Sequence, residues 1–382
     1  MDAYPAPRIV PRAEHSLSRK LIDADALKVL YRLHNHGFKA YLVGGCVRDL
    51  LLGKTPKDFD VATDAHPHQV RKLFRNCRLV GRRFRLAHVY FRGGKIIEVS
   101  TFRRRSEFAP DRNIPENNNS FGTPAEDAHR RDITINGIFY NLADFSLIDY
   151  VGGLEDLRQG LIRCIGDAEE KFTSDPVRMM RVIRHAARTG FAIEEKTYQS
   201  LVRQVSKLSL CSPVRVRDEF LRELKEGSAQ ASVRLMIETG LLFVLFPSLI
   251  LPLSENGRQE LLLRILQTLD HFISSGRKAS DDFCLAFFLS PFTDYFCPQE
   301  KFPPGRAGQV LYQQKIKEWI SETLGPWGFN EQIKDQVSRL HSMQRICRSF
   351  AEGEKIPFRL RSRRFFNQAL KLYNLINFPQ IY

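Results

Sequence analysis

Over the first 150 or so residues, apolar positions recur in two alternating rhythms. From Ala26 to His34, residues Ala26, Val29, Leu30 and Leu33 fall at helical spacing, which predicts an amphipathic helix. Ala40 to Val43 is a short apolar run and predicts a strand, and Val47 to Leu52 predicts a helix closed by Gly53. The same criteria predict a strand over Asp58–Thr63, a helix over Pro67–Phe74, and strands over Ala87–Phe91 and Ile96–Phe102. Arg103 to Glu126 is rich in Pro, Asn and Gly and predicts a mobile loop. A Tyr150–Gly153 turn then marks a change of regime, and from Asp175 the helical period dominates almost to the end.

No fixed-period repeat is present, so the chain reads as α+β: a small head with a mixed sheet, followed by all-helical segments. The limits expected are a basic arm over 1–20, a head over 21–150, a neck over 151–228, a helical body over 229–325 and a basic helical tail over 326–382.

Composition narrows the function classes. With 382 residues, 43% of them hydrophobic, the chain can bury two or three cores, yet no apolar run reaches the ~18 residues a bilayer span needs. The N-terminus has no apolar secretory core, and seven cysteines without paired CxxC spacing argue against zinc and a disulfide framework. A reducing cytoplasm is the expected compartment. The net charge of +15 is unevenly spread. Ala65 to Ile97 carries nine Lys and Arg, among them Arg82, Arg83 and Arg85, and no acid. From Lys355 onward, Arg359, Arg361, Arg363, Arg364 and Lys371 are interleaved with Phe358, Phe365, Phe366 and Tyr373, again without an acid. Cations neutralise phosphates and rings stack on bases, so both stretches suit single-stranded RNA. The basic stretches lack a Leu-rich amphipathic face, which argues against a membrane-surface role.

The candidate chemistry sits in YLVGGCVRDLLLGKTPKDFDVAT, residues 41–63. A strand enters Gly44-Gly45 and a helix follows at once, so backbone N–H groups and Arg48 in the first turn can meet a phosphate. Asp58 and Asp60, two apart on a strand, share a face roughly 7 Å apart and can bracket divalent cations. The spacing alone is not specific, because Asp23-Ala24-Asp25 shows it too; there it opens a helix and reads as a cap. Cys46 has no paired His nearby and reads as a small buried residue.

The pattern GGxVRDxLLGxxxxDxDxxT resembles the head signature of the class II nucleotidyltransferases, the tRNA CCA-adding enzymes and bacterial poly(A) polymerases. The resemblance continues through Ile96–Arg103, Arg130–Asn136 (RRDITIN), Asp149–Ile162 and Asp175–Arg181, covering about the first 225 residues in the family's order. It implies a two-metal template-independent transfer in which two Mg²⁺ ions are held by Asp58 and Asp60. Glu98 would be a third ligand or a cross-strand partner for an Arg. Asp132 would be an essential acid or an N-cap for the Thr134 helix. Gly44, Gly45, Arg48 and Arg131 would bind the nucleotide. Asp175 with Arg178 would choose the base beside Arg181, although Asp175-Pro176 also reads as a helix start. Arg178, Arg181 and Arg184 form one helical stripe.

Leu79 to Val89, LVGRRFRLAHV, resembles the segment that separates the poly(A) polymerases from their CCA-adding relatives. The expected activity is therefore addition of AMP from ATP to RNA 3′ ends, with single-stranded RNA as partner, no membrane association and protein partners unassigned. Two alternatives stay open: a CCA-adding enzyme, and a catalytically dead RNA-binding protein on this fold. Lys301 to Trp327 aligns with no family feature.

Overall fold

The computed structural model describes residues 4–81, 85–104, 121–255, 257–351, 360 and 364–378. The chain divides into two compact units, Met1–Ser174 with Phe191–Thr197 and Asp175–Gly190 with Tyr198–Tyr382. The α+β expectation holds, and the first unit is built on one mixed sheet.

Its strands are β1 (Arg8–Val10), β2 (Ala40–Val43), β3 (Asp60–Thr63), β4 (Cys77–Val80), β5 (Leu86–Tyr90), β6 (Ile96–Thr101), β7 (Ile138–Asn141) and β8 (Leu147–Asp149). They lie in the order β1-β8-β7-β2-β3-β6-β5-β4, with β3 and β6 parallel and every other pair antiparallel. Alternation divides the strand residues between two faces. Leu42, Val61, Val89 and Val99 pack with Val29, Leu30 and Leu33 of helix α1 (Ala24–Asn35) and with Val70 of helix α3 (Pro67–Leu73). Val43, Ala62, Phe102 and Phe139 form a smaller core with Ala128 of helix α4 (Pro124–His129).

Four strands lie outside the sequence expectation. β7 is buried on both faces, so it has no alternation to read, and β8 has three residues. β4 hides in the basic run before Gly81. β1 falls inside the stretch expected to be a basic arm: Val10 is buried and Arg8 pairs with Asp149 in the sheet. The strand expected from Asp58 begins at Asp60, leaving Asp58 exposed just ahead of it. As expected, Asp23 caps α1, accepting from the amides of Asp25 and Ala26 at 2.8 and 3.2 Å.

The second unit is helical. Helix α7 (Val177–Thr189, after α5 and α6 at Gly153–Gln159 and Ala168–Ser174) packs on α9 (Pro213–Lys225) and α10 (Ala229–Glu238), with α8 at Glu195–Gln204. Phe220, Phe246 and Phe288 meet with centroids 5.1 to 5.3 Å apart. Lys301 to Trp327, where no family feature aligned, is mostly the helix Gly305–Leu324. In the C-terminal helix Arg364–Asn377, Phe366 and Tyr373 are buried and the Lys371 ammonium lies 4.3 Å from the Phe272 ring centre. Phe366 and Tyr373 thus face the helical core and offer no surface to RNA, which corrects the expectation that they belong to the binding face; Lys371 stays half-exposed.

Candidate active site

At the end of β2, Gly44 takes φ 77° and ψ −146°, a conformation open to glycine, and helix α2 (Gly45–Leu51) starts at the next residue. Val43 pairs with Asp60 across the β2–β3 ladder, which brings the glycine turn beside the carboxylate. A Cβ on Gly44 would stand 3.4 Å from Arg131 Nη1 and 3.6 Å from Asp60 Oδ2. The turn, the second Asp of the DxD pair and the second Arg of RRDITIN are thus contiguous, although 71 residues separate Asp60 from Arg131.

Asp60 is largely buried, and its carboxyl is pushed up to about 6. Burial is the largest cause, the charges of Glu98 and then Asp58 add to it, and Arg131 opposes them. Asp60 faces Glu98 in the parallel β3–β6 register. Glu98 is half exposed, and its Oε1 lies 3.0 Å from His88 Nε2 on β5. The cross-strand partner of Glu98 is therefore a histidine and not the arginine anticipated. Among the described residues no three His, Cys, Asp or Glu side chains already form a cage for a metal ion. The donors themselves fit Mg²⁺: they are hard carboxylate oxygens, and Asp60 is a carboxylate crowded by two like charges, a place where a cation relieves repulsion.

Arg48 departs from the expectation. Its side chain is fully buried, with Nε and Nη2 on Asp49 Oδ1 at 2.9 and 2.7 Å and Nη1 on Asn136 Oδ1 at 2.8 Å. It faces inward and ties α2 to the RRDITIN turn; it does not grip a phosphate. A Cβ on Gly45 would lie 3.3 Å from Arg48 Nη2, so that second glycine makes room for the buried guanidinium.

Sequence reading missed the acid that holds the cationic wall. Asp127 on α4 is fully buried and takes Arg130 through Oδ1 (2.6 and 2.8 Å) and Arg131 through Oδ2 (2.9 and 3.3 Å). It also accepts the Arg103 amide at 3.2 Å. These arginines hold its carboxyl below the usual range despite burial. Arg103 itself is lowered to about 10 by burial, with the neighbouring Arg130 and Arg131 adding to the effect. The Arg131 guanidinium lies 5.2 Å from the Phe139 ring centre. The only signal for Asp127 in the sequence was its place i−3 and i−4 from the two arginines. Asp132 is half-buried and its carbonyl accepts the Ile165 amide at 3.1 Å. The N-cap position of the Thr134 turn falls on Ile133, the next residue.

In the helical unit, Asp175 precedes α7 and pairs with Arg215 at 2.9 Å and with Arg178 at 3.8 Å. Pro176 holds the N-cap position of α7. Arg181 is half-buried, whereas Arg184, third in the expected stripe, is buried against Glu219 and Glu226 of the second unit at 3.4 and 3.1 Å. Arg215 was not foreseen. Of the expected RNA-binding arginines Arg85 is exposed; Arg82, Arg83, Arg361 and Arg363, and the side chain of Arg364, lie outside the described residues, as does most of the Arg103–Glu126 loop. All seven cysteines are free, and Cys46 is buried with its thiol pushed up to about 12. No described helix is long and apolar enough to cross a membrane.

Residues 40–163 match the poly A polymerase head domain, and residues 190–251 match the probable RNA and SrmB-binding site of polymerase A. Poly(A) polymerase I of Salmonella typhi is 46% identical over 296 residues, which are 74% of this chain and 63% of that protein. The chain thus spans less than two thirds of that relative. The CCA-adding enzyme of Leuconostoc mesenteroides is 39% identical over 213 residues, 56% of this chain and 52% of its own length. Among solved structures, the Bacillus stearothermophilus CCA-adding enzyme in complex with CTP aligns at TM-score 0.67 and 26% identity, covering 92% of this chain and 77% of that one. With its glycine turn, Asp60 and Arg131 in the matched region, the chain belongs to the class II nucleotidyltransferases, the family of the poly(A) polymerases and CCA-adding enzymes.

Proposed function

We propose that this protein is a template-independent RNA nucleotidyltransferase of the cytoplasm that adds AMP from ATP to RNA 3′ ends. The observation that carries the chemistry is Asp60: a crowded, largely buried carboxylate at a glycine turn, within electrostatic reach of Arg131. The choice of AMP is supported by the longer and stronger similarity to poly(A) polymerase I than to the CCA-adding enzymes.

Asp58 and Asp60 would hold Mg²⁺, which when bound neutralises phosphate charge and activates the attacking 3′-hydroxyl. The other roles fall to this chain's own groups. Arg131, oriented by Asp127 and by the Asn136 carbonyl at 3.3 Å, places positive charge beside Asp60 for the triphosphate. Gly44 leaves the approach to that guanidinium open. Arg48 and Asn136 keep the turn rigid from beneath. Asp132 supplies a further acid on the RRDITIN turn, and Asp175 with Arg178 and Arg181 selects the base. Arg85, with Arg82, Arg83, Arg361, Arg363 and Arg364, attracts the RNA backbone.

The test is a tailing assay with Mg²⁺ and each NTP singly, on an unstructured RNA and on a tRNA lacking its CCA end. Long ladders with ATP on both RNAs, lost in Asp60→Ala, are the expected result. Addition of two C and one A to the tRNA alone would make the protein a CCA-adding enzyme. Salt-sensitive RNA binding without incorporation would leave a catalytically inactive binding protein.

A further inference from the structure

On the face of the sheet covered by α1 and α3, the head carries a cleft of about 750 Å³ that has no part in the chemistry above. It is bounded by α1, by the chain just after α3 and by the end of β5 with Arg92. We propose that this cleft is an accessory binding site for single-stranded RNA, taking the strand upstream of the 3′ end that is extended. The proposal rests on the RNA reading of the preceding subsection and deepens it.

Charge is the first argument. Lys28, Arg32, Arg75 and Arg92 line the cleft, and no acid does. Asp25 lies just outside and pairs with Lys28 at 2.8 Å; Arg32, Arg75 and Arg92 are exposed and have no acidic partner among the described residues. Three cations around one concavity focus a positive potential, whereas the same three on a convex surface would each be solvated separately. The second argument is the rings. Phe74 and Phe91 form part of the wall, with Arg32 5.4 Å from the first ring centre and Lys28 5.9 Å from the second. Tyr31 stands exposed at the lip, its hydroxyl accepting from Arg19 at 3.3 Å and its ring open for a base. Cations that track a backbone beside rings that accept bases are the two components of sequence-tolerant single-strand binding. The third argument is the amides. Asn35 and Asn76 line the same cleft, and their side chains make no hydrogen bond among the described residues, which leaves donors and acceptors for base edges. A cleft of this size, with rings and amides in its wall, suits unstacked nucleotides, whose bases are free to enter it.

The function this assigns is retention of the substrate. A primer long enough to occupy both the catalytic turn and the cleft would dissociate more slowly through effective concentration.

The experiment uses the full chain and fluorescein-labelled oligoadenylates of six and twenty nucleotides. Binding is read by anisotropy across a KCl series with neither Mg²⁺ nor ATP present. Arg75→Gln with Arg92→Gln should flatten the log–log salt slope for the twenty-mer by about 1.4, at ~0.7 per lost phosphate contact on a single strand. Tyr31→Ala should weaken twenty-mer binding roughly tenfold, and Tyr31→Phe should restore it. In primer extension these variants should raise KM for the twenty-mer, with kcat and all six-mer kinetics unchanged. Wild-type tailing and RNA binding, with slope and affinity unchanged in the variants, would overturn the cleft proposal and leave the proposed activity intact. Altered twenty-mer binding in a chain that transfers no nucleotide would support the cleft and refute the activity. No RNA binding by the wild type would overturn both.

Discussion

Asp60→Asn should stabilise the metal-free protein while abolishing AMP transfer. The folded state holds the Asp60 carboxyl at about 6, against 3.8 for an unconstrained aspartate, chiefly through burial and then through Glu98 and Asp58, with Arg131 opposing. A carboxyl raised on folding contributes stability below its unfolded value, and that contribution is lost as pH rises through the folded value. About two pH units correspond to about 3 kcal/mol; because the side chain is partly exposed, the cost at pH 7.5 is about 1–3 kcal/mol. Asparagine never ionises and escapes it. The variant should therefore be more stable than wild type at pH 7.5 in EDTA, and the difference should vanish near pH 4. Both tryptophans, Trp319 and Trp327, lie in the helical unit. The assay is hydrogen exchange of peptides covering β2, β3 and β6. Adding Mg²⁺ should raise protection in wild type and not in Asp60→Asn. A variant less stable at pH 7.5, or a gap that persists at pH 4, would refute the account of Asp60 as a carboxylate held against its own charge for the sake of cation binding.

Other consequences are as direct. His341 is fully buried, its Nδ1 2.9 Å from Thr293 Oγ1, and burial lowers it to about 3. Its folded value lies below the unfolded 6.5, so the helical unit should lose about 1.4 kcal/mol per pH unit on acidification below 6.5; tryptophan-monitored urea unfolding should show a drop of about 2 kcal/mol by pH 5, which His341→Gln flattens. Asp127→Ala takes the shared carboxylate from two half-buried arginines and should cost the head about 1–3 kcal/mol, read as lost exchange protection in β6 and β7. Gly153→Ala places a Cβ 2.2 Å from the Thr134 carbonyl oxygen and should destabilise the head by about 3 kcal/mol in the same assay. Gly152→Ala meets nothing within 4 Å and suffers only its φ of 79°, so about 1 kcal/mol is expected.

The segment Asp149–Ile162 shows how far local pattern reaches. Its resemblance to a family motif was legible, but the reason for its residues was not. Asp149 accepts the amides of Val151, Gly153 and Leu154 at 2.9–3.0 Å and so caps α5. Asp156 takes the Thr134 hydroxyl at 2.6 Å and the Arg163 Nε at 3.0 Å. The motif thus builds the floor under the RRDITIN turn. Arg48 is the same lesson in reverse: a first-turn arginine suits a phosphate until tertiary packing supplies Asp49 and Asn136.

By itself the sequence determined what rests on neighbours along the chain. The helices and strands that were predicted, the Asp23 cap, the glycine turn and the change to a helical regime follow from contacts within a few residues; β1, β4, β7 and β8 carried no such local signal. The acidic pair Asp58 and Asp60 was visible for the same reason. What only the tertiary structure decided depends on strand order and burial. The β2–β3–β6 register sets Asp60 beside Glu98 and hands Glu98 to His88. The fold brings Arg131 back to Gly44, buries Arg48 and makes Asp127 the anchor of the cationic wall. It also closes α1, α3 and β5 around a basic cleft that no single stretch of the chain contains. A charge pattern along a chain states which groups exist; whether each one faces solvent, a partner or a ligand is set by long-range packing, whose low dielectric decides which charges must pair and which remain open.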